Sequence, residues 1–435
     1  VYDRLSDAAQ LTGFDDGNSE KTINLKLKQD KKRGLFGKAM AGAGTNDRYE
    51  GRFNVNSFKG ARQFSVIGMA NNTNAEGFSF MDLMSFTGEM NRLRQGGSGG
   101  NINLSINSDD PIASLLGNGN SNGIKTIWGG GVNYNNIIGN KTDFTSNYFY
   151  NRYNPHQEST VQRHYFLPDS SYFYNQHSIS DNLNNSHRLN TSADIRLDSF
   201  NSIKISPSIG YQETRNSSYS DYQTLSEDGR PANSGFSNNY STGKGSNFRV
   251  DALYRKKFHR KGRTFSLSAQ ASFNNTESNG SLLSVNHFYN RSSSLPAYDS
   301  INQRNTVSGS LNSYNARAVY TEPIFKRSLL EFSLGRSNSS SNSDKTTYDY
   351  NRQNGKFDQL NPALTNNFEN TYGYTNGGLR LRTQQKKLSL AGGLNWQQAK
   401  LQGKVIAGNK DSVIKKTFYN LLPTVRFKYD FTRYR

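Results

Sequence analysis

The stretch Ser192–Tyr211, SADIRLDSFNSIKISPSIGY, decides how the rest of the chain is read. Ala193, Ile195 and Leu197 take every second place, with Asp194, Arg196 and Asp198 between them. After Ser199, Phe200 and Asn201 the alternation resumes, with Ile203, Ile205, Pro207, Ile209 and Tyr211 set against Lys204, Ser206, Ser208 and Gly210. A period of two puts the apolar side chains on one face of an extended strand. The short break predicts a hairpin between two such strands. Each arm is about ten residues long, the length at which a tilted strand crosses the hydrocarbon of a bilayer. Strands of a soluble sandwich average about five or six residues. The dry face is therefore expected to meet lipid and the wet face a lumen.

The composition agrees with this assignment. Hydrophobic residues make up 33% of the 435, aromatic residues 12%, there is no Cys, and the mean hydropathy is −0.82. A soluble domain of this size carries about 45–50% apolar residues, and the aromatic content argues against disorder. No run approaches the roughly 18 apolar residues of a membrane helix, and barrel strands disappear in an averaged hydropathy. Without Cys there are no disulfides, thiolate metal sites or Cys nucleophiles. The net charge is +19. Its Lys and Arg are spread along strand faces and turns, with one cluster (Lys256, Lys257, His259, Arg260, Lys261, Arg263) in an expected turn. Anionic lipid headgroups, lumen lining and periplasmic turns account for such a distribution better than nucleic acid does.

Taken in order, residues 1–33 stand apart. A polar turn at Asp15–Ser19 precedes one alternating strand, Thr22–Gln29, with no hairpin partner beside it. From Gly34 three strands follow, joined at Thr45-Asn46-Asp47 and Lys59-Gly60. A Gly-, Asn- and Ser-rich insertion at 71–127 is read as a long extracellular loop, with a short helix expected within Phe80–Leu93. Hairpins then recur at Gly139-Asn140, at the Ser192 stretch, at the basic turn, near Pro323 and near Gln384, separated by long polar connections. Alternating short and long connections match the short periplasmic turns and long extracellular loops of an outer-membrane barrel. The expectation is all-β: a membrane-spanning antiparallel β-barrel of about fourteen strands over residues 34–435, preceded by the end of another domain at 1–33. Val1–Gln10 has no signal-peptide pattern and Phe431–Arg435 falls inside a strand pattern, so a stretch of a longer exported chain, leaving an unclosed barrel, is expected.

The segment Gly13-Phe14-Asp15-Asp16-Gly17-Asn18-Ser19-Glu20-Lys21-Thr22-Ile23-Asn24-Leu25 resembles the end of the plug domain in TonB-dependent-receptor-like outer-membrane proteins. Gly51-Arg52-Phe53-Asn54-Val55-Asn56 and Gly77-Phe78-Ser79-Phe80 are similar to the branch with a carboxypeptidase-regulatory-like N-terminal domain. The resemblance implies a barrel of twenty-two strands in full, uptake or recognition of an extracellular solute energised through TonB, and a Gram-negative outer membrane with its lipid and lipopolysaccharide as surroundings. A surface lipoprotein partner also belongs to that picture. The competing function is a non-transporting barrel, an adhesin or structural component.

No Gly-x-Ser-x-Gly elbow, phosphate-binding loop or zincin motif occurs, so no enzyme, cofactor or catalytic residue is expected. His156, His164, His177 and His187 crowd one region without ligand-pair spacing, and Asp16, Asn18 and Glu20 lack the rest of a calcium loop. No metal is expected. The candidate ligand-binding residues are loop aromatics: Tyr165, Phe166, Tyr172, Tyr174, Tyr219 and Tyr222, with Phe173 beside them. Tyr stacks on flat ligands at low entropy cost, though packing between loops or an interfacial belt is the commoner use. On the strands, Ile203, Ile205, Ile209, Val250, Phe265, Leu267, Phe332 and Leu390 are expected to face lipid. Arg196, Lys204, Arg249, Asp251, Arg317, Arg380, Arg426 and Lys428 are expected to face the lumen.

Overall fold

The structure is a computed structural model and describes residues 2–5, 11, 19–22, 33–75, 123–168, 171–289, 297–325, 327–385, 388–407 and 410–429. Two short strands, β1 (Tyr2–Leu5) and β2 (Ser19–Thr22), pair antiparallel in a sheet of their own. Thr22 thus has a strand partner, against the expectation of a lone strand. Residues 23–29, the Asp15–Asn18 turn and the expected helix within Phe80–Leu93 lie outside the described residues.

Every other described strand belongs to one fifteen-stranded sheet. It begins with β3 (Arg33–Ala43), β4 (Tyr49–Lys59), β5 (Arg62–Asn71) and β6 (Ile124–Ile138). The tallest strands follow: β7 (Thr142–Tyr165), β8 (Tyr172–Arg196), β9 (Asn201–Ser226), β10 (Pro231–Lys257), β11 (Thr264–Phe288), β12 (Ala297–Phe325) and β13 (Ser328–Asn351). It ends with β14 (Lys356–Leu360), β15 (Asn366–Gln385), β16 (Leu388–Ala407) and β17 (Lys410–Tyr429). Each strand pairs antiparallel with its sequence neighbour, except that β15 bypasses the short β14 to pair with β13. Among the described residues β3 and β17 are edges, so the sheet does not close.

One rung shows how the sequence pattern becomes a wall. Ile195 pairs with Ile203, Ile203 with Tyr254, Tyr254 with Leu267, Leu267 with Ala318, Ala318 with Leu334, Leu334 with Gly377, Gly377 with Trp396 and Trp396 with Leu421. Since directly paired residues share a face, this rung is apolar across nine strands. One residue along, Arg196, Ser202, Arg255, Ser266, Val319 and Ser333 form the opposite face. Both residue sets expected from the alternation fall on the faces assigned to them. The apolar face is the bare one: Val425 is 80% exposed and Leu334 63%, whereas Ser266 on the polar face is 3% exposed and Glu331 5%. A sheet with its polar side packed and its apolar side bare is suited to lipid on the outside. Met69, Ile127 and Phe149 are the large apolar exceptions buried on the inner face.

Aromatic rings bound the apolar band at both ends. Tyr254, Phe265 and Tyr320 lie at its lower rim, and Phe248, Phe273 and Tyr314 at its upper rim, where Phe248–Phe273 and Phe273–Tyr314 centroids are 6.2 and 5.5 Å apart. Such girdles mark the two interfaces of a bilayer. The lower turns are tight. Gly139 and Asn140 both have φ of 57°, the left-handed pair of a type I′ turn, closed by the Lys141 amide donating to the Ile138 carbonyl at 3.3 Å. In the Ser192 hairpin Leu197 and Asp198 prove to be turn rather than strand, because the Asp198 carboxylate accepts the Phe200 and Asn201 amides at 2.7 Å each. In the basic cluster Lys256 and Lys257 still belong to β10.

The largest departure from expectation is strand length. The membrane band takes only Ile203–Tyr211 of β9, yet β9 runs to Ser226 and β12 spans 29 residues. Most of the polar connections expected as loops are strands that continue past the bilayer, still fully laddered. Alternating Ser, Asn and Thr satisfy a ladder as well as Ile and Leu do, because the hydrogen bonds are made by the backbone. The expected loop at 71–127 is likewise shorter, since β6 begins at Ile124.

Candidate ligand-binding surface

Beyond the upper girdle, Glu213–Ser226 carries β9 outward for about 40 Å at ~3.3 Å per residue, and its neighbours rise with it. This overhang carries all six candidate aromatics. Tyr165 ends β7, Tyr172 and Tyr174 open β8, and Tyr219 and Tyr222 lie near the end of β9; Phe166 alone stands outside the strands. The expectation of loop residues is therefore corrected for five of the six.

The register then divides them. Tyr222 has the parity of Ser206 and Ser208, and Tyr172 and Tyr174 that of Arg188 and Asn190, so these rings are on the inner face; Tyr165, paired with Tyr172, joins them. Tyr165 stacks on Tyr172 at 4.6 Å and Tyr174 on Tyr222 at 5.9 Å. Polar partners hold the rings in place. The Tyr174 hydroxyl donates to Gln176 Oε1 at 3.2 Å, Gln176 Nε2 donates to Ser220 Oγ at 2.8 Å, and the Tyr222 hydroxyl donates to Asn286 Oδ1 at 2.9 Å. Gly235 makes the last contact possible, because a Cβ there would stand 2.9 Å from the Tyr222 ring and 2.7 Å from Asn286 Oδ1. Tyr219 has the opposite parity and stacks outside on Phe236 at 6.3 Å, while Phe166 packs on His164 at 3.9 Å.

Gln176, Ser220, Gly235 and Asn286 were not legible as site residues, since Asn286 lies 64 residues from Tyr222. Only counting the register out from the turns at both ends of the tall strands would have paired them.

Three of the four histidines have separate polar neighbours, and the fourth, His164, stacks on Phe173 at 4.1 Å. His156 Nδ1 is 2.7 Å from Asp181, His177 is 3.0 Å from Glu158 and 3.5 Å from Asp221, and His187 Nδ1 is 2.8 Å from the Tyr148 hydroxyl. His177, in the overhang above the bilayer, has its pKa raised by its hydrogen bond to Glu158, with Asp221 adding to the effect. At the β9–β10 turn Arg230 and Ser226 hold the Asp228 carboxyl far below its ordinary range. Lower down, the inner face at bilayer level is charged: Arg249 is paired with Asp251 at 2.9 Å, Arg255 with Asp194, and Arg380 stands 4.0 Å from Glu331.

Residues 256–435 match the model of the outer membrane protein beta-barrel family. The wall has the fold of an outer-membrane β-barrel. The matched residues run from the end of β10 through β17, and the ladder continues unbroken from them back to β3, so one barrel wall contains both. No curated protein matches the sequence. Among solved structures the barrel is similar to the ferric citrate transporter FecA in its unliganded form, at 6% identity over 89% of this chain and 76% of that one, with a TM-score of 0.17. It is also similar to the siderophore receptor PiuA from Acinetobacter baumannii, at 8% identity over 91% of this chain and 81% of that one, with a TM-score of 0.14. Superpositions this loose add nothing to the family match, and the outer-membrane setting rests on that match together with the inverted faces of the wall.

Proposed function

We propose that this barrel takes up or recognises an extracellular solute, with energy delivered through TonB, and is not an enzyme. The observation that supports it is the inward-facing patch Tyr165, Tyr172, Tyr174 and Tyr222, set on a rigid wall above the membrane and wired to Gln176, Ser220 and Asn286. Aromatic faces beside fixed amide and hydroxyl groups suit capture of a solute from water on its way into a lumen. An adhesin would need its contact residues on the outer side of the overhang instead. The resemblance of residues 13–25 to a plug terminus supports coupling to TonB.

The test is accumulation of a panel of extracellular solutes by cells with and without the full-length protein. A transported solute should lose at least tenfold in uptake when TonB is removed, and a comparable amount of binding when Tyr174 and Tyr222 are both changed to Ala. Uptake indifferent to TonB, or surface adhesion that persists in the Tyr double variant while no solute accumulates, overturns the proposal.

A further inference from the structure

The outer face of β13–β17 changes character in a few steps above the bilayer. Its last apolar rung is Leu334, Gly377, Trp396 and Leu421. The next is Arg336, Thr375, Gln398 and Tyr419, where Gln398 Nε2 donates to the Tyr419 hydroxyl at 3.0 Å. Above it come Asn338, Gly373, Lys400 and Thr417, and then Ser340, Thr371, Gln402 and Lys415. One more step brings Lys404, paired with Val413 on β17 and Glu369 on β15.

Lys415 is therefore diagonal to both Lys400 and Lys404, a separation of about 7–8 Å between backbone positions, close enough for flexible ammonium groups to converge on one anion. Arg336 closes the arc from below. Among the described residues no carboxylate lies within ion-pair distance of these four cations, and Glu369 is the single acid on the rungs they occupy.

The same height elsewhere on the wall is organised differently. On β7–β11 one rung reads Arg152, Asn185, Glu213, Lys244, Glu277, so charges of opposite sign face one another across neighbouring strands. That row sums to zero, whereas the β13–β17 arc sets four cations against the one acid Glu369, opposite Lys404, and stays strongly positive. The arc also sits directly over exposed Trp396, Leu421 and Val425, a surface made for acyl chains.

We propose that this arc binds the phosphorylated headgroup of a lipid in the surrounding outer leaflet, with Lys400, Lys404, Lys415 and Arg336 on the phosphate and the Trp396–Leu421–Val425 surface against the chains. A soluble anion would use the cations and leave the apolar rungs idle; an amphiphile uses both. Thr371, Thr375 and Thr417 supply hydroxyl donors on the same rungs. The site concerns the membrane outside the wall and does not depend on whether the barrel transports anything.

The test uses the full-length protein in nanodiscs containing either bis-phosphorylated or dephosphorylated lipid A, with native mass spectrometry reading the lipid retained after detergent exchange. The phosphorylated lipid should be retained at least tenfold better. The variant K400Q/K404Q/K415Q should erase that preference, whereas the charge-matched control R152Q/R215Q/K244Q should change it less than twofold. All six residues are on the water-exposed outer side, and heat-modifiable gel mobility confirms that each variant is folded. Equal losses in the two triple variants would mean bulk electrostatics, and no loss in the first would mean no site. Displacement of the lipid by millimolar inorganic phosphate would assign the arc to free anions. Each of these results overturns the proposal.

Discussion

The bilayer band and the overhang above it are one continuous ladder with opposite uses of its faces. Within the band, β9 shows Ile203, Ile205 and Ile209 outward and Lys204, Ser206 and Ser208 inward. Past Tyr211 the same outward series becomes Glu213, Arg215, Ser217, Tyr219 and Asp221, while the inward series carries Tyr222. The hydrogen-bond pattern is the same through this change. Sheet pairing therefore sets only which residues share a face, and the solvent outside decides what those residues must be. In lipid every backbone group must be paired within the wall. In water the ladder is a choice, and here it extends the lumen outward as a rigid vestibule.

The sharpest way to break the comparison is a charge on the outer face. Ile205→Arg, in the middle of the band, should cost about 2–4 kcal/mol in lipid, whereas Ser217→Arg, on the same face of the same strand but above the girdle, should cost within about 0.5 kcal/mol. Reversible unfolding of the two variants in bilayers reads the difference, and similar losses would mean that the band is misplaced. A smaller effect is expected at the lower turn. Asn140→Val puts a β-branched residue at φ 57° and should cost about 1–2 kcal/mol, seen as lower thermal stability. Gly229, φ 82° in the upper β9–β10 turn, offers the matching variant in the overhang. If opening that turn leaves the bilayer band as stable as before, the two regions are energetically separate.

The smallest expected effect is one of pH. His177 bridges β7, β8 and β9 through Glu158 and Asp221, and its raised pKa means that the protonated form is favoured when the overhang is folded. Its contribution is complete below the imidazole's unfolded value of about 6.5 and fades as pH rises through the higher folded value. Hydrogen exchange of the overhang ends of β8 and β9 should be slower at pH 5.5 than at pH 8.5, after correction for intrinsic rates, while the band does not change. His177→Gln should abolish the difference; a difference that survives the change belongs to some other group.

The alternation in Ser192–Tyr211 was enough to establish strands, their two faces and a membrane band, because a period of two is a local property and lipid demands apolar residues wherever it touches the wall. The I′ turn at Gly139-Asn140 was equally local, since left-handed φ selects Gly and Asn. The length of the strands was not legible. Stretches such as Asn338–Asp344 carry no hydrophobic alternation, and their extended state comes from long ladders with β12 and β15 that no short window contains. The site was half legible for the same reason. Residue type marked six aromatics as candidates, and only the pairing of β7, β8 and β9 placed Tyr165, Tyr172, Tyr174 and Tyr222 inside, left Tyr219 and Phe166 outside, and brought Asn286 within a hydrogen bond of Tyr222. A one-residue change of register would have reversed every one of those assignments, and register is set across strands by the whole sheet.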